Sequence, residues 1–180
     1  MNTKSKQKLS TKDLTRIAVF AALMAICSWI TIPSTVPFTL QTLGVFLAVG
    51  LLGGRRGTLA IVVYVLLGAI GLPVFAGFSG GLGGTSSGYV VGFVFSALLM
   101  WVIEHFFGTS LPVLAVSMVL GLIVCYAFGT AWFYVAYTSA NGAVTLMSVL
   151  GWCVFPFIIP DLIKIACALL LTTRLRKYVG

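Results

Sequence analysis

Long apolar runs, separated by short breaks rich in glycine and proline, dominate the chain. The runs lack the apolar–polar alternation of a membrane β-barrel strand. Their length and continuity read instead as membrane-spanning helices. The first span is predicted from Leu14 to Ile32, where TIPSTVPFT (Thr31 to Thr39) breaks it with Pro33 and Pro37. A short second span covers Leu40 to Gly53, GGRRG (Gly53 to Gly57) forms a tight basic turn, and a third span covers Thr58 to Ile70. A glycine-rich stretch from Gly71 to Tyr89 leads into a fourth span, Gly88 to Phe107. GTSLP turns the chain into a fifth, Pro112 to Tyr137. After the TSANGAV turn, a last run extends from Thr145 to Thr173 with Pro156 and Pro160 inside it. The pattern predicts a basic tail over residues 1–12 and one all-α integral membrane domain of six helices over residues 13–180.

Composition agrees with the pattern. The 180 residues are 60% hydrophobic and 8% charged, with a mean hydropathy of +1.14. A soluble domain of that size cannot hide so much apolar surface. The net charge of +8 does not imply a nucleic-acid partner, because the basic residues other than Lys164 cluster in three places. Lys4, Lys6, Lys8, Lys12 and Arg16 lie near the N-terminus; Arg55 and Arg56 form one internal pair; Arg174, Arg176 and Lys177 lie near the C-terminus. Positive residues favour the cytoplasmic side, and anionic lipid there attracts them. Six spans put all three clusters inside, together with Glu104 and His105. The uncharged Pro33/Pro37 loop, the glycine-rich stretch and the Asn141 turn then fall outside. The basic start followed by a long apolar run, with no small-residue cleavage site, reads as a retained first helix rather than a signal peptide.

Chemistry-bearing residues are sparse. Cys27, Cys125, Cys153 and Cys167 sit in apolar runs without paired spacing, which reads as packing rather than metal binding or a disulfide frame. No G-x-x-x-x-G-K-[ST] is present, so the chain does not bind ATP by a P-loop. Asp161 and Lys164 stand out, because an ionisable group at membrane depth costs about 3 kcal/mol on insertion scales. Counted from Arg174 at 1.5 Å per residue, Lys164 is about 15 Å and Asp161 about 20 Å into a hydrocarbon core roughly 30 Å thick. Pro160 is placed as the first residue of the final helical segment, which would set the pair at a helix N-terminus. Three residues apart, the two side chains share a face. They form either the polar floor of a pocket reached from outside or a structural ion pair between helices.

The glycines also allow two readings. Gly80, Gly84, Gly88 and Gly92 recur every four residues, as in a helix-packing ridge. Alternatively, the stretch before Thr85 is an irregular loop whose backbone approaches a ligand. GFSGG (Gly77 to Gly81) also fits the G-x-S-x-G nucleophile pattern and resembles rhomboid proteases. An intramembrane serine hydrolase using Ser79 is therefore the alternative function. It needs a base, and the single histidine, His105, is predicted on the inner side.

PFTLQTLGVFLAVGLLGGRRG (Pro37 to Gly57), GLPVFAGFSGGLGG with GYVVGF (Gly71 to Phe93) and PDLIKIACALL (Pro160 to Leu170) resemble the BioY family. These are the biotin-specific S components of energy-coupling-factor (ECF) vitamin transporters. The resemblance implies a six-helix S-component bundle in the cell membrane with both termini cytoplasmic. It implies a non-enzymatic protein with no cofactor that binds biotin from outside with high affinity. Its implied partners are a transmembrane coupling protein and two ATPase subunits. Biotin has two ureido N–H donors, a ureido carbonyl, an apolar ring and tail, and a carboxylate. Asp161 can accept from the ureido N–H groups, and Lys164 can donate to the ureido carbonyl or the carboxylate. Gln41, Thr85, Ser86 and Tyr89 are further polar candidates, Gly80 and Gly81 can bring backbone close, and Phe75 and Phe78 can form an apolar lid. In this family an alanine motif on the first helix contacts the coupling protein. Here AVFAALMA supplies Ala18/Ala22 and Ala21/Ala25 at four-residue spacing, which also suits internal packing.

Overall fold

The structure, a computed structural model, describes residues 9–179; Lys4, Lys6 and Lys8 lie outside the described residues. Helix α1 (Thr11–Trp29) is followed by a minimal hairpin, β1 (Thr31–Ile32) and β2 (Phe38–Thr39), which pairs Thr31 with Thr39 and Ile32 with Phe38. Helices α2 (Gln41–Leu52) and α3 (Gly54–Ala69) come next. The glycine-rich segment holds one 3-10 turn (Ala76–Phe78) before α4 (Ser87–Phe107) and α5 (Leu111–Asn141). The last span is bent into α6 (Leu146–Cys153) and α7 (Phe155–Val179). Helices α1 to α5 and the bent α6–α7 pair make the six-helix membrane bundle that the hydropathy pattern predicts.

The termini of these elements follow from local chemistry. Ser10 and Asp13 form a reciprocal capping box that starts α1. The Ser10 backbone N–H donated to Asp13 holds that carboxyl below its ordinary value. Between α2 and α3 the turn is tighter than GGRRG suggests. Gly53 alone reverses the chain, at φ 80°, where a side chain would be strained. Arg55 and Arg56 belong to the first turn of α3, not to a loop. At the other end of the chain, the break falls at Val154 (φ −126°, ψ −59°) rather than at Pro160. Pro156 is the second residue of α7, where a missing N–H costs nothing. Asp161 and Lys164 therefore lie inside α7, not at a helix N-terminus.

Helices α4, α5 and the bent α6–α7 unit are long and apolar enough to cross a membrane by themselves. Helix α2 is not: twelve residues reach about 18 Å, against a core of about 30 Å. Nine of its residues are buried, so it runs through the middle of the bundle and meets protein instead of lipid. The β1–β2 hairpin continues it outward with paired backbone groups, as non-helical chain at depth requires. This short central helix leaves room for a cavity between its N-terminus and the neighbouring spans.

Polar contacts mark the opposite end. Arg56 Nε meets Asp13 at 2.9 Å, and the Gly54 N–H donates to the Glu104 carboxylate. Arg176 donates to the carbonyls of Gly50 (3.1 Å) and Thr109 (2.9 Å). The start of α1, the α2–α3 turn, the α4–α5 turn and the end of α7 thus share one face of the bundle. That is the grouping the positive-residue pattern predicts for one side of a membrane.

Candidate ligand-binding site

The glycine-rich segment behaves as two units. From Ser87 onward it is helix, and Gly88 and Gly92 let α4 press against α5. A Cβ on Gly88 would lie 2.1 Å from Trp132 Cβ, and one on Gly92 3.2 Å from Cys125 Cα. Before Ser87 the chain is a loop folded back onto the end of α3. The N–H groups of Gly71 and Gly81 both donate to the Gly68 carbonyl, at 2.9 and 2.7 Å. Gly81 takes φ 84° there. The Ser28 hydroxyl and the Tyr64 hydroxyl both donate to the Val74 carbonyl, fastening the loop to α1 and α3.

Phe75 is the loop's buried anchor. Its ring meets Tyr64 edge-on at 5.5 Å and brings its tip against Gly68, where a Cβ would lie 2.0 Å from Phe75 Cζ. Gly68→Ala is therefore expected to destabilise the protein by about 1–3 kcal/mol through overpacking. Thermal unfolding checks this; an unchanged midpoint would mean that Phe75 can swing aside without cost.

A cavity of about 260 Å³ opens between this loop, the hairpin and the spans, near the lower end of ligand-pocket volumes of roughly 300–1,000 Å³. Its walls come from the N-terminal turns of α2 and α4, the middle of α5 and the first half of α7. It lies at the end of the bundle away from the basic clusters.

Asp161 and Lys164 meet in this cavity at 2.7 Å, and both are buried. Asp161 Oδ1 also accepts from the Thr42 hydroxyl at 2.9 Å, and Oδ2 accepts from the Tyr126 hydroxyl at 2.6 Å. Lys164 Nζ donates to the Thr39 carbonyl at 2.7 Å and sits 4.3 Å from the centroid of the Phe38 ring. Side chains from α2, α5 and α7 thus replace the helix-terminal N–H groups that the sequence pattern placed here. Gln41 is held beside the pair, with its amide N–H on the Tyr64 hydroxyl and its carbonyl accepting from Thr39 at 3.0 Å.

Of the residues singled out in the sequence, Asp161, Lys164, Gln41, Phe75, Gly80, Gly81, Ser86 and Tyr89 all line the cavity. Phe78 does not. Gly77 and Phe78 take positive φ angles of 66° and 57°, and the Phe78 ring is turned out against Trp29, 5.0 Å between centroids. Thr85 is also absent from the lining, where Gly84, Ser86 and Ser87 stand instead. Tyr89 donates to the Cys153 carbonyl at 3.2 Å and so props the α6–α7 break. Thr42 and Tyr126 were not singled out. The signal for Tyr126 was a phenolic group in mid-span, which needs a partner when buried; for Thr42 it was adjacency to Gln41.

Of the four first-helix alanines, Ala18 and Ala22 are exposed on the bundle surface. Ala21 and Ala25 are packed in the core, so they present no surface to a partner.

Ser79 is not set up as a nucleophile. Its hydroxyl donates to the Ala76 carbonyl at 2.8 Å. His105 is eighteen residues along α4 from Ser87, about 27 Å. Lys164 shares the cavity but is held as the partner of Asp161.

The BioY family model matches residues 1–180. The biotin transporter BioY of Thermotoga maritima is 39% identical over 170 residues, covering 92% of this chain and 96% of that protein. The probable biotin transporter BioY of Pyrococcus horikoshii is 35% identical over 172 residues, covering 93% and 98%. A crystal structure of the S-component for biotin from an ECF-type ABC transporter superposes with a TM-score of 0.82 at 30% identity, over 100% of this chain and 96% of that one.

Proposed function

The chain belongs to the BioY family, and we propose that it is the biotin-binding S component of an ECF-type uptake transporter. It is a carrier subunit rather than an enzyme, with biotin as its cargo and not as a cofactor. The observation that supports this most is the buried Asp161–Lys164 pair lining a cavity whose remaining walls are largely apolar. A compact solute with N–H donors and an apolar body suits that combination.

The described residues of the three basic clusters share one end of the bundle and support an orientation with both termini in the cytoplasm. The cavity then faces outward. Ala18 and Ala22 form a small-residue strip on the exposed side of α1, where another helix can approach closely. A transmembrane coupling protein fits that strip, and two ATPase subunits would supply the energy that this chain lacks a P-loop to draw on.

Calorimetric titration of the purified protein with biotin tests the reading. One saturable site per chain is expected. Absence of binding in a folded sample would exclude the biotin reading.

A further inference from the structure

We infer that a second, apolar site on the lipid-facing side of the bundle takes one acyl chain of a membrane phospholipid, and that this chain supports the ligand cavity behind it. A groove of about 590 Å³ runs between α5 and α6. On α5 it is bounded by Ile123, Ala127, Ala131 and Val135, a row of every fourth residue along the helix surface. Leu146, Leu150 and Val154 repeat that spacing on the facing side, down α6 to the break before α7. The two alanines in the middle of the α5 row have its smallest side chains and are exposed, so the groove opens to its surroundings there. Those surroundings are hydrocarbon, because α5 and the α6–α7 unit are long and apolar enough to cross the membrane. No lining residue is charged. From Ile123 to Val135 the helix rises about 18 Å, close to the roughly 15 Å of one leaflet in a core about 30 Å thick. An acyl chain of one leaflet therefore matches the groove in length, in polarity and in where it lies.

Tyr126 distinguishes this groove from an ordinary lipid contact. It lines both the groove and the ligand cavity, so its ring is the partition between them. Its hydroxyl donates to Asp161 Oδ2 at 2.6 Å. The α6–α7 break divides in the same way: Cys153 lines the cavity and Val154 lines the groove. An unfilled groove leaves the Tyr126 ring without packing atoms on one side, and such a gap forfeits dispersion contacts outright. A chain lying along Ala127 and Ala131 supplies those contacts and holds the ring where its hydroxyl meets the carboxylate. The lipid thus acts on ligand affinity through Tyr126, a positioning residue, without entering the cavity. The effect on affinity rests on the biotin-binding reading above; the seat for the chain does not.

The full chain purified in a steroid-based detergent, which has no alkyl tail to fill the groove, and then given palmitoyl-oleoyl phosphatidylglycerol tests this. Two variants accompany the parent. Ala131→Phe fills the groove with a side chain; Val116→Phe enlarges an exposed position of α5 outside it. Native mass spectrometry counts bound phospholipid, and calorimetry measures biotin affinity with and without it. The parent and Val116→Phe are expected to retain one phospholipid more than Ala131→Phe. In those two, added phospholipid is expected to tighten biotin binding at least about fivefold. Ala131→Phe is expected to stay within about twofold of the lipid-replete parent whether or not lipid is present. Ala127→Leu, a smaller filling of the same row, gives the same comparison if the phenylalanine variant does not fold. Equal phospholipid retention by all forms, or an equal gain in affinity by the filled variant, would overturn the inference while leaving biotin binding intact. A parent dimer that Ala131→Phe breaks up, with no response to lipid, would assign the groove to a second copy of the chain and overturn it too. Failure of biotin itself to bind in lipid would overturn the transport reading, and the phospholipid count would still decide the groove.

Discussion

Asp161→Asn is expected to weaken biotin binding at least tenfold, about 1.4 kcal/mol, in a protein that still folds and inserts. Asparagine keeps the shape and one acceptor oxygen but removes the charge. The loss has two sources. The acceptor left for the ligand on Oδ2 loses its negative charge, and hydrogen bonds to charged groups are about twice as strong as neutral ones. Lys164 is also left as a buried ammonium without its counterion, 2.7 Å from where the carboxylate was. Truncating one partner of a buried hydrogen-bonded charge pair costs roughly 2–5 kcal/mol elsewhere. Lys164→Met should weaken binding too, by leaving Asp161 charged and held only by Thr42 and Tyr126. Titration calorimetry on both variants, with thermal unfolding as the control for folding, measures the effect. Parental affinity in both would reduce the pair to structural glue and move the binding site elsewhere.

The second large effect concerns transport and not binding. Leucine at Ala18 and Ala22 is expected to bring ATP-driven biotin uptake to background while affinity stays within about threefold, roughly 0.7 kcal/mol. Both positions are exposed on α1, at a spacing that puts them on one face. Neither touches the cavity, which α1 does not line. Filling that strip with branched side chains prevents close approach of another helix. Uptake in cells that express the complete transporter, paired with binding to the purified subunit, separates the two properties. Equal loss of both would mean that the strip supports the fold. Ala21→Leu serves as the contrasting control: Ala21 is buried in the core, so enlarging it should lower stability and impair both readouts together.

Much of this architecture was legible in the hydropathy pattern, because spans of apolar residues in lipid leave the backbone few alternatives to helix. The predicted second and fourth spans start within one residue of α2 and α4. The misplaced features all depend on tertiary context. Pro160 has the signature of a helix start, yet Pro156 can occupy a helix's first turn as well, and the chain breaks at Val154 ahead of both. Four-residue alanine spacing does not say which pair faces inward; the burial of Ala21 and Ala25 alongside Met24 decides it. The direction of Phe78 depends on two consecutive positive φ angles, which the glycine at 77 permits but does not dictate. Within the site, the charged pair was conspicuous because it is expensive in a membrane. Its supporting donors were not. Thr42 is 119 residues and Tyr126 35 residues away from Asp161 along the chain, and only the packing of α2 and α5 against α7 brings them to it.

Native mass spectrometry on the protein purified from biotin-replete cells, with Asp161→Asn purified in parallel, tests the central claim most directly. The parent protein is expected to carry one added mass equal to biotin, and the variant to have lost it. Biotin missing from a folded parent, or retained equally by the variant, would contradict the assignment of the ligand to the cavity at Asp161 and Lys164.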